Sequence, residues 1–244
     1  MRAFLAIVRR ELAAYFTTPI AYVFIVIFVA LAGVFTFQVG RYFARGLADL
    51  QPFFLYLPWL LLVLAPAVSM RLWAEERRSG TIELLLTLPV TTTQAVLGKW
   101  VAGWLFLGVA LLATFGLWIT VNWLGTPDNG VIALSYLAGW ITGGVLLAAG
   151  AAMSAFTRNQ VIAFVLAAAV CFLLMSTGTP LVQDALGAAL PGPVAEALMS
   201  ISVLAHLSPA VQGVVSLADV LYWITMTAFW LFVNVLVVEW RKAA

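Results

Sequence analysis

The sequence predicts an all-α polytopic membrane protein with six transmembrane helices, and three observations carry that prediction. Of its 244 residues, 64% are apolar and 9% are charged, against about 25% charged in soluble domains. Uninterrupted apolar runs of about 20 residues recur along the chain, long enough to cross roughly 30 Å of hydrocarbon as helices. Strands of a membrane barrel would alternate apolar and polar in pieces of about 10 residues, and no such alternation is visible. The bundle therefore belongs in an inner or plasma-type membrane, and the length leaves room for one transmembrane domain over residues 1–244.

Residues 2–18 are too polar for a span. Leu5, Val8, Leu12 and Tyr15 recur at spacings of three and four and share one helical face. Arg2, Ala6, Arg9 and Ala13 occupy another, with Arg10 beside them. Such a helix lies along the cytoplasmic interface with its apolar face at the acyl boundary; a frayed basic terminus is the alternative. It ends before Pro19, because the residue preceding a proline is pushed out of helical geometry. The first span, 20–39, carries no charge. Arg41, Arg45 and Asp49 mark a short loop before the second span, 53–70, where Pro58 and Pro66 predict kinks that neighbouring helices tolerate. A polar stretch, 71–91, follows. Thr91 and Gln94 have capping-box spacing and open the third span, 92–123, an overlong helix that reads as rigid, continuous and starting in the cytosol.

The run Gly125-Thr126-Pro127-Asp128-Asn129-Gly130 is a turn by composition. In the fourth span, 131–156, Gly139, Gly143, Gly150 and Ser154 form a small-residue face suited to close helix contact. Thr157-Arg158-Asn159 makes a tight hairpin into the fifth span, 160–176. Within the external segment, 177–218, Pro191-Gly192-Pro193 breaks the chain. Residues 194–207 then have helical spacing (Val194, Leu198, Ile201, Ala205) over a length too short to cross, which makes them re-entrant or interfacial. The sixth span, 220–238, ends at Glu239-Trp240-Arg241-Lys242, with Trp240 as an interfacial anchor.

Charge sets the orientation. With the N-terminus in the cytoplasm, only Arg41 and Arg45 of the 12 Lys and Arg residues face the other side. Arg2, Arg9, Arg10, Arg71, Arg77, Arg78, Lys99, Arg158, Arg241 and Lys242 all face the cytoplasm, the positive-inside pattern. Six spans return the C-terminus to the same side. No cleavable signal peptide is expected, since Arg9, Arg10 and Glu11 interrupt the place of its apolar core. A net charge of +2 without a basic run excludes nucleic acid as a partner. The single cysteine, Cys171, lies mid-span and reads as a small buried hydrophobe.

Few side chains offer chemistry. The only histidine, His206, has no cysteine or second histidine to complete a metal site and reads as a packing or interfacial residue. Asp184, Glu196 and Asp219 read as solvated or capping groups. Gly98-Lys99 matches only the middle of a phosphate loop, since Thr93 stands where the first glycine belongs and Trp100 where the hydroxyl belongs. No catalytic, cofactor-binding or metal-ligating residue is assigned, and no enzyme activity is expected. The assigned span interiors hold no ionisable side chain, whereas ion-coupled carriers keep such groups as relays. Energy for any transport is therefore expected from a partner.

The stretch 71–91 is where that partner would act. Arg71, Glu75, Glu76, Arg77, Arg78 and Glu83 would cost about 2.5–3.5 kcal/mol each in lipid, so the segment is cytoplasmic. Gly80 reads as the end of one helix, Thr81 as the N-cap of a short second one over 82–87, and Pro89 as its stop. Leu84-Leu85-Leu86, followed by Leu88, puts an apolar knob on a charged segment, as a protein-gripping surface would. An amphipathic surface helix without a partner is the alternative. Glu75, Glu76, Arg77 and Arg78 are expected to frame the contact in solvent, with Ile82 and Leu84, Leu85 and Leu86 making it.

The blocks RREL and YFTTPIAYVF (9–12 and 15–24), MRLWAEERRSGTIELLLTLPV (70–90), VLGK (96–99) and TRNQ (157–160) resemble ABC transporter permeases of the type-2 export class. The nearest branch is the one associated with gliding motility. The resemblance covers essentially the whole chain, and 75–90 is its most specific part. It implies an N-terminal interfacial helix at 2–18, a coupling helix at 82–88 and short external helices at 181–207. Thr81, Ile82, Glu83, Leu84, Leu85 and Leu86 would dock into a cleft on a separate cytoplasmic ATPase subunit, which binds the ATP and Mg. The implied working unit has two ATPases and two permease halves, the second being another copy or a related chain, and an envelope accessory protein is a further partner. The implied location is the bacterial inner membrane, in contact with lipid, with both termini cytoplasmic. The alternative is a scaffold that anchors an envelope or motility complex without moving a substrate.

Overall fold

The computed structural model describes residues 2–80 and 90–241, and the regular elements among them are helical. The N-terminal helix α1 spans Arg2–Phe16 and stops where Thr18 turns extended ahead of Pro19. Pro19 opens α2, Pro19–Val34, because a first-turn residue has no intrahelical N–H bond to lose. A π-helical turn, Phe35–Val39, prolongs α2, and Thr36 bonds back to the Ala32 carbonyl at 2.6 Å. The short α3, Tyr42–Arg45, leads into α4, Gln51–Ser79, whose 29 residues make it about 44 Å long. Gly80, at φ 71°, caps α4 in the left-handed conformation.

Beyond residue 90 come α5 (Thr92–Ala113), α6 (Phe115–Leu124), α7 (Asn129–Ala155) and α8 (Gln160–Ser176). Three short helices follow, α9 (Pro180–Ala189), α10 (Gly192–Ser200) and α11 (Val203–Val211), and α12 (Leu217–Trp240) ends the bundle. Side chains cap the starts of α5, α7 and α8, the first of them as the sequence indicates. Thr91 and Gln94 complete a capping box, Asp128 accepts from Gly130 and Val131, and Asn159 accepts from Val161 and Ile162.

Helix α7 is the axis. Val145, Leu146, Leu147, Ala148 and Ala149 are all fully buried, with α4, α8, α5 and α12 packed around them. Its small residues allow that closeness. A Cβ at Gly139 would stand 2.6 Å from Leu57 of α4, and one at Gly143 would stand 3.3 Å from Leu107 of α5. Gly150 leaves room for Ser69 of α4. Ser154, one turn on, adds hydrogen bonds: its hydroxyl accepts from the Trp73 and Ala74 amides, each at 3.2 Å, and donates to the Met70 carbonyl at 3.0 Å.

Five helical segments are long and apolar enough to cross a membrane: Pro19–Arg45, Gln51–Ser79, Thr92–Leu124, Asn129–Ala155 and Leu217–Trp240. Up to seven qualify if each bent pair counts as one span, α8 with α9 at 75° and α10 with α11 at 64°. The chain thus has two ends. At the basal end α1, the last turn of α4, the first turns of α5, the turn after α7 and the last turn of α12 meet. At the distal end lie α3 and the short helices α9–α11.

The charged stretch 71–79 continues α4 without a break to the helix end expected at Gly80. Two local expectations are corrected. The third span is not continuous, because Thr114 leaves helical geometry, its amide bonding Leu111 and its hydroxyl returning to the same carbonyl at 2.6 Å. The single short helix expected over 194–207 is two, since Ser202 caps a new start at Val203 by accepting from Leu204. In α1, Ile7 and Tyr15 are buried against the bundle with Glu11 half-buried between them, and Leu5 is 58% exposed.

Candidate functional site at the basal end of the bundle

The face that α1 turns to the bundle explains that rotation. Ile7 sits over Gly98 of α5, where a Cβ would come within 2.7 Å of its side chain. Two turns along, Tyr15 stacks on Phe106 with ring centroids 5.0 Å apart and donates to the Val68 carbonyl of α4 at 3.3 Å. Burial pushes the Tyr15 phenol well above its ordinary pKa, so it remains a donor. Glu11 lies between these two contacts and would be costly to bury alone.

Its partner is Lys99. The Lys99 side chain is 2% exposed, and Nζ bonds Glu11 Oε1 at 3.1 Å and Glu76 Oε1 at 2.8 Å. Trp73 of α4 puts its ring 5.3 Å from the same ammonium, a cation–π contact. Arg10 closes the cluster from the water side, with Nη2 at 2.6 Å from Glu11 Oε1 and 3.2 Å from Glu76 Oε1. Two carboxylates and two cations thus join α1, α4 and α5 in one network. Burial acts to raise the Glu11 pKa, but the Lys99 charge and the Arg10 hydrogen bond outweigh it and hold it below the ordinary value. Arg10 moves the opposite way: burial acts to lower it, and the hydrogen bond and charge of Glu11 carry it above its ordinary value.

The flanking residues do not all frame a contact in solvent. Glu75 pairs with Arg71 at 2.9 Å, and Arg71 also donates to Thr18 of the α1–α2 turn at 3.3 Å. Glu76, with 16% of its side chain exposed, turns inward to Lys99, which corrects the solvent expectation for this residue. Arg77 is half-buried, and Arg78 is exposed. The expected docking residues Thr81, Ile82, Glu83, Leu84, Leu85 and Leu86 lie outside the described residues. The described chain leaves α4 at Gly80, four residues past Glu76, and resumes at Val90, nine residues before Lys99.

Sequence reasoning missed Lys99 as a site residue, because the charge rule placed it in water and the spans were read as free of buried charge. A usable signal was present. Lys99 is the lone charge on α5, with Val96, Ala102 and Gly103 on the turns around it.

A second polar cluster holds the distal end. His206 of α11 bonds Asp219 of α12 through Nδ1 at 2.8 Å and faces the Ser200 carbonyl through Nε2 at 3.0 Å. Both ring nitrogens therefore face oxygen atoms, one on each side of the imidazole. The ring also stacks on Tyr222 at 4.0 Å. The remaining Asp219 oxygen takes the Ser216 hydroxyl at 2.7 Å and the Ser216 amide at 2.8 Å, the reciprocal half of a capping box. The hydroxyl rests on the carboxylate instead of the imidazole, so no activated nucleophile results. Asp219 is a cap, one of the two readings given to it. Among the described residues no three His, Cys, Asp or Glu side chains converge as metal ligands.

The family model described as ABC-2 family transporter protein matches residues 5–239. No curated protein matches the chain.

Proposed function

The chain belongs to the ABC-2 family of transporter proteins, and from that premise we propose that it is the six-span permease half of an ATP-driven exporter. The family makes it a multi-pass membrane protein that works with an ABC ATPase subunit. In this reading the basal end is cytoplasmic, both termini lie there, and the membrane is the bacterial inner membrane. Two such halves, identical or related, flank the pathway. The ATP and its Mg reside on the ATPase dimer. The 75–90 block supports the permease reading, and the resemblance to the branch associated with gliding motility is part of the proposal.

The observation that carries the coupling role is the Lys99–Glu11–Glu76 network. Residues 81–86 dock on the ATPase, and the chain on either side of them leads directly into α4 and α5. Those two helices and α1 are tied by buried charge at that level. A push on the docking segment therefore moves α1, α4 and α5 together, where a segment on a flexible tether would absorb it. Ser154 and Gly150 pass the displacement of α4 to the axial helix α7. The break at Thr114 divides α5 from α6, so the movement is delivered to the inner part of this span.

Co-purification with the ATPase tests the docking. Leu84→Asp and Leu85→Asp are expected to abolish ATPase association while leaving membrane insertion intact. Retention of the ATPase at wild-type yield by both variants would remove 81–86 from the contact. A scaffold that moves no substrate would keep the ATPase contact but show no ATP-dependent transport in vesicles.

A further inference from the structure

Three arginines reach the basal end from separate elements: Arg77 in the last turn of α4, Arg158 in the turn after α7 and Arg241 at the end of α12. Arg77 and Arg241 stand at helix C-termini, where the exposed carbonyls favour a cation, whereas Arg158 directly precedes Asn159, the N-cap of α8. Helix ends therefore do not account for the convergence of the three. Arg77 is within charge–charge range of both Arg241 and Arg158. The other ion pairs at this end match cation with carboxylate, as Arg10 and Lys99 do with Glu11 and Glu76, and Arg71 with Glu75. Among the described residues, none of the three has a carboxylate partner. The Nε of Arg77 is also buried and has no hydrogen-bond acceptor. A buried donor on a charged group is costly to leave unpaired, and two like charges nearby raise that cost. The group calls for an anion.

Its surroundings indicate which anion. Val161 and Ile162, 69% and 50% exposed, lie in the first turn of α8, which begins at Gln160 just past Arg158. Leu236 and Trp240, 48% and 67% exposed, precede Arg241, whose guanidinium lies 5.9 Å from the Trp240 ring. The arginines therefore sit where two outward apolar helix faces reach their ends. That is the depth of the headgroup layer, where tryptophan collects and where basic pockets between membrane helices take anionic headgroups. We propose that Arg77, Arg158 and Arg241 form a binding site for the phosphate of an anionic phospholipid in the leaflet at the basal end, with its acyl chains against α8 and α12. An acidic surface on a cytosolic protein would match the charge, but it would leave the flanking Val161, Ile162 and Leu236 without a partner.

The test is lipid selectivity of the purified protein in detergent micelles, read by native mass spectrometry and by thermal shift with added phosphatidylglycerol, cardiolipin or phosphatidylcholine. Retained, stabilising phosphatidylglycerol or cardiolipin and no effect of phosphatidylcholine are expected. Arg158→Gln and Arg241→Gln are each expected to weaken anionic-lipid binding roughly fivefold, while Arg41→Gln at the distal end changes nothing. Because Arg158 and Arg241 are exposed, both variants fold even if Arg77→Gln does not. Wild-type selectivity in the Arg158→Gln/Arg241→Gln double variant would overturn the site. So would equal stabilisation of the wild type by phosphatidylcholine. Inorganic phosphate displacing nothing at millimolar concentration is expected; displacement of the lipid by it would assign the site to a soluble anion. Loss of ATPase association with lipid selectivity intact would assign it to the partner protein.

Discussion

The two ends of the molecule solve the same problem by different chemistry. At each end a short amphipathic element must be held against long apolar helices, α1 at the basal end and α11 at the distal end. The basal clamp is a lysine, 2% exposed, between two carboxylates. The distal clamp is a histidine between a carboxylate and a carbonyl. The basal clamp ties three helices together through four charged side chains, whereas the distal clamp ties α11 to α12 through one ring between two oxygens. The basal end thus couples more of the bundle than the distal end does.

The largest effect expected from breaking this contrast is at Lys99. Lys99→Met leaves Glu11 and Glu76 facing each other around a missing charge, and breaking a buried pair in this way costs about 3–5 kcal/mol. A thermal unfolding midpoint in detergent that matches wild type would show the clamp to be dispensable. Adding Glu11→Gln and Glu76→Gln to Lys99→Met is expected to restore most of the loss, because the buried charges leave together.

A smaller effect is expected at the distal clamp. Asp219→Asn removes the carboxylate charge from His206 and weakens the Ser216 capping box, for about 1–3 kcal/mol locally. Hydrogen exchange should speed up in the amides of α11 while those of α1 stay protected. Equal loosening of both ends would mean that the clamps are not independent.

The smallest effect is the response of the basal clamp to acid. Glu11 is held below its ordinary value of 4.5, so its contribution is fully present above that pH and is lost as pH falls through the lower folded-state value. A spin label at the exposed Leu5 is therefore expected to report an unchanged α1 from neutral pH down to 4.5 and release only in stronger acid. Release of α1 in the neutral range would contradict the charge pairing.

Much of the architecture was legible because its causes are local. Apolar run length marked the crossing helices, and Thr91 with Gln94, and Gly80, marked real helix ends. The failures share one cause. The stripe Leu5, Val8, Leu12 and Tyr15 did not reveal that α1 turns Ile7, Glu11 and Tyr15 to the bundle, because Lys99 waits on α5 and is 88 residues away in sequence. Glu76 was read as a solvent frame for the same reason, its partner standing 23 residues on. Thr114 carries no proline or glycine signal, and its break rests on a hydroxyl bond to Leu111 and a contact with Tyr136. Of the site residues read from sequence, Ser154 and Gly150 stand at the α4–α7 contact, and the docking set from Thr81 to Leu86 lies outside the described residues.

The sequence by itself determined the multi-pass helical class and several helix ends, since hydropathy and capping act over a few neighbouring residues. Only the tertiary structure decided which charges are buried and with whom. Burying an ion is unfavourable until a partner from elsewhere in the chain is brought within about 3 Å, and that depends on how each helix is turned about its axis.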